Sequence, residues 1–242
     1  MSYDLTKFKH GLEELNITLT DEQIEQFLQY YEMLVEKNKV MNLTGITEYE
    51  EVIQKHFLDS LSLIRVIPDI ASQKLTVIDL GTGAGFPGIP LKIAFPELEI
   101  TLMDSLNKRI LFLQEVIDAL GLKKVSAVHG RAEEMASNAT HRQQYDLCVS
   151  RAVSNLAVLT EYCLPFVKKG GLFVSYKSAD SDAEIQEGKK AISILGGKLT
   201  SVDKFQLPDS DLRRALVCIK KVIDTPKKYP RKAGTPAKLP LK

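Results

Sequence analysis

Thr76-Val77-Ile78-Asp79-Leu80-Gly81-Thr82-Gly83-Ala84-Gly85 decides how this sequence folds. An apolar run of strand type ends at Leu80, and three glycines occupy the next five positions. Glycines let the backbone turn tightly and approach a ligand closely, and open parallel sheets bind ligands beyond the carboxyl ends of their strands. The stretch therefore reads as a strand that delivers a ligand loop.

Gly83-Ala84-Gly85-Phe86-Pro87-Gly88 also has the dinucleotide spacing, so a pyrophosphate has to be weighed. Asp79, at the strand end, would repel phosphate and would suit a cationic sulfonium amino acid with its ammonium. The strand also ends two residues too early for the dinucleotide register. Both points favour S-adenosyl-L-methionine (SAM). A dinucleotide and a purely structural glycine turn are the alternatives.

Working outward, β-rich runs alternate with helical ones. Strands are expected at Leu75 to Leu80, Glu99 to Asp104, Val125 to His129, Tyr145 to Ser150 and Leu172 to Tyr176. Helices are expected at about Gly88 to Ala94, Lys108 to Leu120, Ala132 to Ala136, Asn155 to Phe166 and Asp182 to Leu195. Lys198 to Phe205 and Arg213 to Val222 have no helix between them and can pair antiparallel. A mostly parallel seven-stranded sheet ending in one hairpin is the Rossmann-like α/β architecture of class I SAM-dependent methyltransferases.

Upstream, Ile24, Phe27, Leu28, Tyr31, Leu34 and Val35 recur at helical spacing, and Thr20 with Gln23 and Thr47 with Glu50 have capping-box spacing. Residues 1–70 are thus an N-terminal lobe of about three helices, 71–222 the SAM-binding domain and 223–242 a tail. Pro226, Pro230, Pro236 and Pro240 exclude regular helix or strand from that tail.

The formal net charge of +1 over 242 residues conceals an asymmetry. Residues 1–70 hold 6 Lys/Arg against 13 Asp/Glu, and residues 223–242 hold 6 against 1, so the front is acidic and the tail basic. No apolar run approaches the roughly 20 residues of a membrane span, and Met1 to Asn16 is charged where a signal peptide is apolar. A cytoplasmic protein with no membrane association is expected. Cys148, Cys163 and Cys218 are far apart in apolar stretches and read as buried thiols. No metal-ligand spacing stands out.

Met103-Asp104 ends the second strand, where a carboxylate can accept both hydroxyls of a ribose. A helix cap is the plainer role for Asp104. Gly130-Arg131-Ala132-Glu133-Glu134 supplies small and polar groups where an adenine edge would lie, or else a capped surface turn. After the fourth strand comes Ser150-Arg151-Ala152-Val153, with no Pro-Pro-aromatic motif to cradle an exocyclic amine. No cysteine lies in a loop as carbon-5 methylation of pyrimidines requires. What remains is an acceptor already nucleophilic at neutral pH, needing positioning and no general base. Guanine N7 is such an acceptor. Arg151 is a candidate for a base edge, a phosphate, the cofactor carboxylate or a structural salt bridge to the acidic lobe. Lys177 is either a substrate contact or an ordinary strand-end lysine.

Asn42-Leu43-Thr44, His56-Phe57-Leu58-Asp59-Ser60, Asp79 to Leu91, Ser150 to Val153 and Tyr229-Pro230-Arg231-Lys232-Ala233-Gly234-Thr235-Pro236 together resemble the RsmG family, once called glucose-inhibited division protein B. These are bacterial methyltransferases that place a methyl on N7 of a guanine in the 530 loop of 16S ribosomal RNA. The resemblance implies cofactor contacts at Gly81, Phe86, Ala132, Glu133 and Arg151, beside Asp79, Gly83, Gly85 and Asp104 read from the residues alone. It implies 16S rRNA or the small ribosomal subunit as partner, with Asn42, His56 and Asp59 shaping the entrance. The tail then gains a use: Lys227, Lys228, Arg231, Lys232 and Lys238 would contact RNA phosphates, joined by Lys177 in the site.

Overall fold

A computed structural model describes residues 3–151 and 154–241, so Ala152 and Val153 of the expected fourth-strand motif lie outside the described residues. Seven strands form one sheet in the order β3-β2-β1-β4-β5-β7-β6. They are β1 (Thr76–Leu80), β2 (Glu99–Asp104), β3 (Val125–His129), β4 (Tyr145–Arg151), β5 (Val167–Ser178), β6 (Gly197–Gln206) and β7 (Arg213–Lys221). The pairs β1–β2, β2–β3, β1–β4 and β4–β5 are parallel. Only β7 runs against the rest, antiparallel to β5 on one side and β6 on the other. Strand order reverses between β1 and β4, and that is where a crevice opens at the carboxyl edge. Ser150 closes the floor of this crevice by donating its hydroxyl to Leu80 O at 2.8 Å.

Alternation along β1 decides what each face receives. Ile78 and Leu80 join Cys148, Phe173 and Val217 in one apolar cluster, covered by α8 (Leu156–Cys163) and α9 (Asp182–Ile194). Val77 joins Leu102, Val149 and Val174 in the other. That second cluster is continuous with Phe8, Phe27, Tyr30 and Phe57 of the N-terminal helices, so the lobe shares its core with the sheet. The lobe contains α1 (Thr6–Glu14), α2 (Asp21–Met41), α3 (Tyr49–Val52) and α4 (Asp59–Leu61).

The capping box at Thr20 and Gln23 forms as its spacing predicts. The one expected at Thr47 and Glu50 does not: α3 starts after Glu48 with no side-chain cap, and Thr47 instead offers its carbonyl to Tyr31. Between α3 and α4 the chain widens into a π turn over Ile53–Leu58. The tail departs from expectation too, because α10 (Thr235–Lys238) is one helical turn. Pro236 is tolerated there because the first turn of a helix needs no N–H from it. All three cysteines are buried and free. Among the described residues, no helix is long and apolar enough to cross a membrane.

Candidate functional site

The loop after β1 has Gly81, Gly83 and Gly85 at positive φ. At Gly85 (φ 110) a Cβ would also lie 2.8 Å from Tyr30 Oη and 2.7 Å from Ile89, so only glycine fits. Tyr30, wholly buried on α2, donates its hydroxyl to Ala84 O at 2.6 Å and ties the loop to the lobe. Phe86 continues this contact, its ring stacked on His56 at 4.4 Å with the Arg151 guanidinium 4.9 Å from its centroid.

Asp79 does not face the crevice as its position suggested. It shares the face of Val77, is wholly buried, and its Oδ2 accepts from Thr82 Oγ1 at 2.6 Å and from Gly88 N at 2.8 Å. Its Oδ1 has no hydrogen-bond partner among the described residues. Burial pushes its pKa up from 3.8 to about 6, against the two hydrogen bonds that hold it down. Asp79 therefore shapes the loop from behind. Gly88, at the start of α5 (Gly88–Ala94), is the residue that makes this possible. A Cβ there would stand 2.2 Å from Leu102 Cδ2 and 2.8 Å from Asp79 Oδ2.

A cleft of about 300 Å³ opens at the ends of β1 to β4, lined by Gly81, Met103, Asp104, Ala132, Glu133, Leu159 and Tyr162 among others. Asp104 is nearly buried and engaged on both oxygens. Oδ2 accepts from Gly83 N at 3.0 Å and from Arg109 at 3.2 Å, and Oδ1 caps Leu106 N at 2.9 Å. It thus fixes the glycine loop against β2 while lining the cleft. Ala132 and Glu133 open α7 (Ala132–Met135) on the opposite wall. Apolar Met103, Leu159 and Ala132 with carboxylates at two ends suit a nucleoside carrying hydroxyls and an amine. Of the loop residues expected to touch a cofactor, Gly81 lines this cleft, Gly83 is joined to its Asp104 with open space where a Cβ would stand, and Gly85 and Phe86 pack against Tyr30 of the lobe.

A second cavity of about 740 Å³ adjoins the first, both being lined by Ser154. His56, Asp59, Arg151, Lys177, Glu184 and Arg214 surround it. Arg151 leaves β4 and donates to Lys55 O at 2.9 Å, His56 Nδ1 at 3.0 Å and Asp59 Oδ2 at 3.2 Å. It is the salt bridge to the acidic lobe, and the π turn supplies the carbonyl it uses. Arg214 takes the other oxygen of Asp59 at 3.2 Å. Since an arginine only donates, His56 Nδ1 accepts, and Nε2 carries the proton toward Thr44 Oγ1 at 2.9 Å. Burial first, then Arg151, lowers the His56 pKa to about 3, so the ring is neutral. Lys177 bonds Ser154 O at 2.6 Å and pairs with Glu184 at 2.6 Å. Arg214 and Glu184 had no signal in the sequence, because each sits in a segment that reads as an ordinary strand or helix.

In the tail, Lys227, Lys228, Lys232 and Lys238 are exposed. Arg231 is not free as expected: its guanidinium grips the buried carboxylate of Glu161, with Nη2 to Oε2 at 2.6 Å. Asn42 ends α2 in the left-handed conformation and is not among the residues lining either cavity. Outside the lining of both cavities, exposed His10, Glu14 and Asp209 bring potential ligand atoms within 4.8 Å of one another.

The model of the GidB family, described as rRNA small subunit methyltransferase G, matches residues 23–217. The chain is 57% identical over 238 residues to a ribosomal RNA small subunit methyltransferase G of Lachnoclostridium phytofermentans, covering 98% of each. It is 54% identical over 234 residues to that of Alkaliphilus metalliredigens, covering 97% of each. Among solved structures, TYW2 of M. jannaschii in complex with AdoMet aligns at TM-score 0.52 and 13% identity, over 68% of this chain and 77% of that one. TrmN of Thermus thermophilus aligns at 0.51 and 13%, over 70% and 53%. Likeness at that identity concerns the fold alone. Matched end to end by relatives that share half its residues, the chain belongs to the rRNA small subunit methyltransferase G family, a class I methyltransferase with S-adenosyl-L-methionine as its cofactor.

Proposed function

We propose that this protein methylates N7 of a guanine in the 530 loop of 16S rRNA, with SAM in the smaller cleft and the base in the larger cavity. SAM supplies a methyl on a cationic sulfur. Asp104 and Glu133 hold its ribose and adenine ends, Gly81 lets the backbone approach, and Met103 and Leu159 exclude water. The observation that carries the acceptor is the electrostatics of the larger cavity. Asp59 is locked between Arg151 and Arg214, Glu184 is paired with Lys177, and His56 is neutral with Nδ1 occupied. Such a site orients a base edge, and among the described residues lining it these ionisable groups are all paired or neutral, with none left free to deprotonate the base. Guanine N7 has no proton to lose, so orientation suffices. The ribosomal substrate follows from the relatives' activity, and the exposed tail lysines supply contacts for phosphates.

Purified protein given labelled SAM should label undermethylated 16S RNA or 30S particles and not tRNA. The label should map to a guanine that becomes susceptible to strand scission after borohydride and aniline. Label in tRNA alone would move the substrate to another RNA. No label anywhere despite SAM binding would remove the activity.

A further inference from the structure

The segment after β7 leaves it at the amino edge of the sheet, since β7 runs opposite to β5, and by Gly234 has reached Glu133 of the cofactor cleft at the carboxyl edge. At the start, Arg142 donates to Thr225 O at 2.8 Å and Tyr229 O at 2.9 Å, and buried Lys221 donates to Leu164 O at 2.8 Å and to Thr225 Oγ1. Midway, Glu161 of α8 accepts from Arg231 N at 2.8 Å, Nε at 2.9 Å and Nη2 at 2.6 Å. At the end, Gly234 N donates to Glu133 Oε1 at 3.1 Å.

Two facts give this path a purpose. With the tail in place the Glu161 side chain is only 1% exposed, and its side-chain hydrogen bonds among the described residues come from Arg231, so this desolvated charge is compensated by the tail. The α7 wall of the cleft is one turn long with no buried residue of its own, and a lone turn has little intrinsic stability. Its Glu133 is held by the tail.

We propose that Glu161 and Arg231 are positioning residues for the cofactor: their ion pair clasps the tail along α8, and the clasped Gly234 amide fixes Glu133 on the cleft wall. The proposal rests on SAM occupying that cleft. SAM affinity is therefore measured first, by calorimetry, on the unaltered chain and on Asp104→Ala: no binding, or binding that Asp104→Ala leaves unchanged, shows failure of the cofactor placement before any tail variant is compared.

Arg231→Ala should then raise the SAM dissociation constant about tenfold, within the usual range of coupling between linked sites. Arg231→Lys, keeping the charge without the fork, should fall between. Glu133→Ala should weaken binding alone but add less than about twofold in the Arg231→Ala background, because both act through one carboxylate. A merely structural tail gives losses that multiply, and that result, or an unchanged dissociation constant in Arg231→Ala, overturns the proposal. Should Arg231→Ala fail to fold, hydrogen exchange on the unaltered protein decides. Saturating S-adenosylhomocysteine should slow amide exchange across residues 229–239, and unchanged exchange there overturns the clasp.

Discussion

Asp79 and His56 are buried ionisable groups on two sides of the Phe86 loop, and burial drives their pKa values in opposite directions. Asp79 is raised, so its contribution to stability is fully present below about pH 4 and is lost as pH rises through about 6. His56 is lowered, so its contribution is present above about pH 6.5 and is lost as pH falls toward 3. The two slopes oppose one another in between, and single substitutions separate them. The stability of Asp79→Asn relative to the unaltered protein, measured by urea unfolding, should rise between pH 4 and 7 by up to about 3 kcal/mol. His56→Gln should show the reverse, its cost fading toward acid. A flat Asp79→Asn difference would mean that the carboxyl is solvated in the folded protein. Period-two alternation puts Asp79 on one face with Val77, but that this face packs on the lobe is visible only in the fold, so charge sign at the strand end suggested a ligand. His56 gave no such signal, because its partner Arg151 lies 95 positions away.

Among the elements, α5 depends on a packing constraint that helix propensity opposes. Gly88→Ala should gain up to about 1 kcal/mol from propensity alone. Its methyl would collide with Leu102 and crowd the oxygen through which Asp79 holds Gly88 N, an overpacking that costs about 1–3 kcal/mol. A net loss in melting temperature and weaker SAM binding are expected, and a stabilised variant would show that Leu102 yields freely. The sheet was legible because strand and helix periods differ and each strand ends at a turn signal. The π turn over Ile53–Leu58 was not. Its apolar spacing suits a plain helix, and the carbonyls it presents are taken by Arg151 from the far side of the site. Local sequence also showed the tail's prolines but not its path, which Glu161 sets from 70 positions away.

At the scale of the whole molecule, inward and outward residues divide the tail into two working faces. Thr225, Tyr229, Arg231 and Pro236 anchor it, while Lys227, Lys228, Lys232 and Lys238 stand exposed. Replacing those four lysines with glutamine should weaken RNA binding and flatten its salt dependence by about three in the log–log slope, less than one per lost phosphate contact. An unchanged slope would place the phosphates elsewhere. The same variant keeps the Glu161–Arg231 and Glu133–Gly234 bonds, so its SAM affinity without RNA should match the unaltered chain. On the proposed arrangement, RNA held on the outer face would stabilise the same clasp, and linkage would then require each ligand to tighten the other by one common factor. That factor should fall toward one when the lysines are gone. Persistence of the full factor in their absence would mean that RNA reaches the cofactor wall through the larger cavity, across Ser154, and not along the tail.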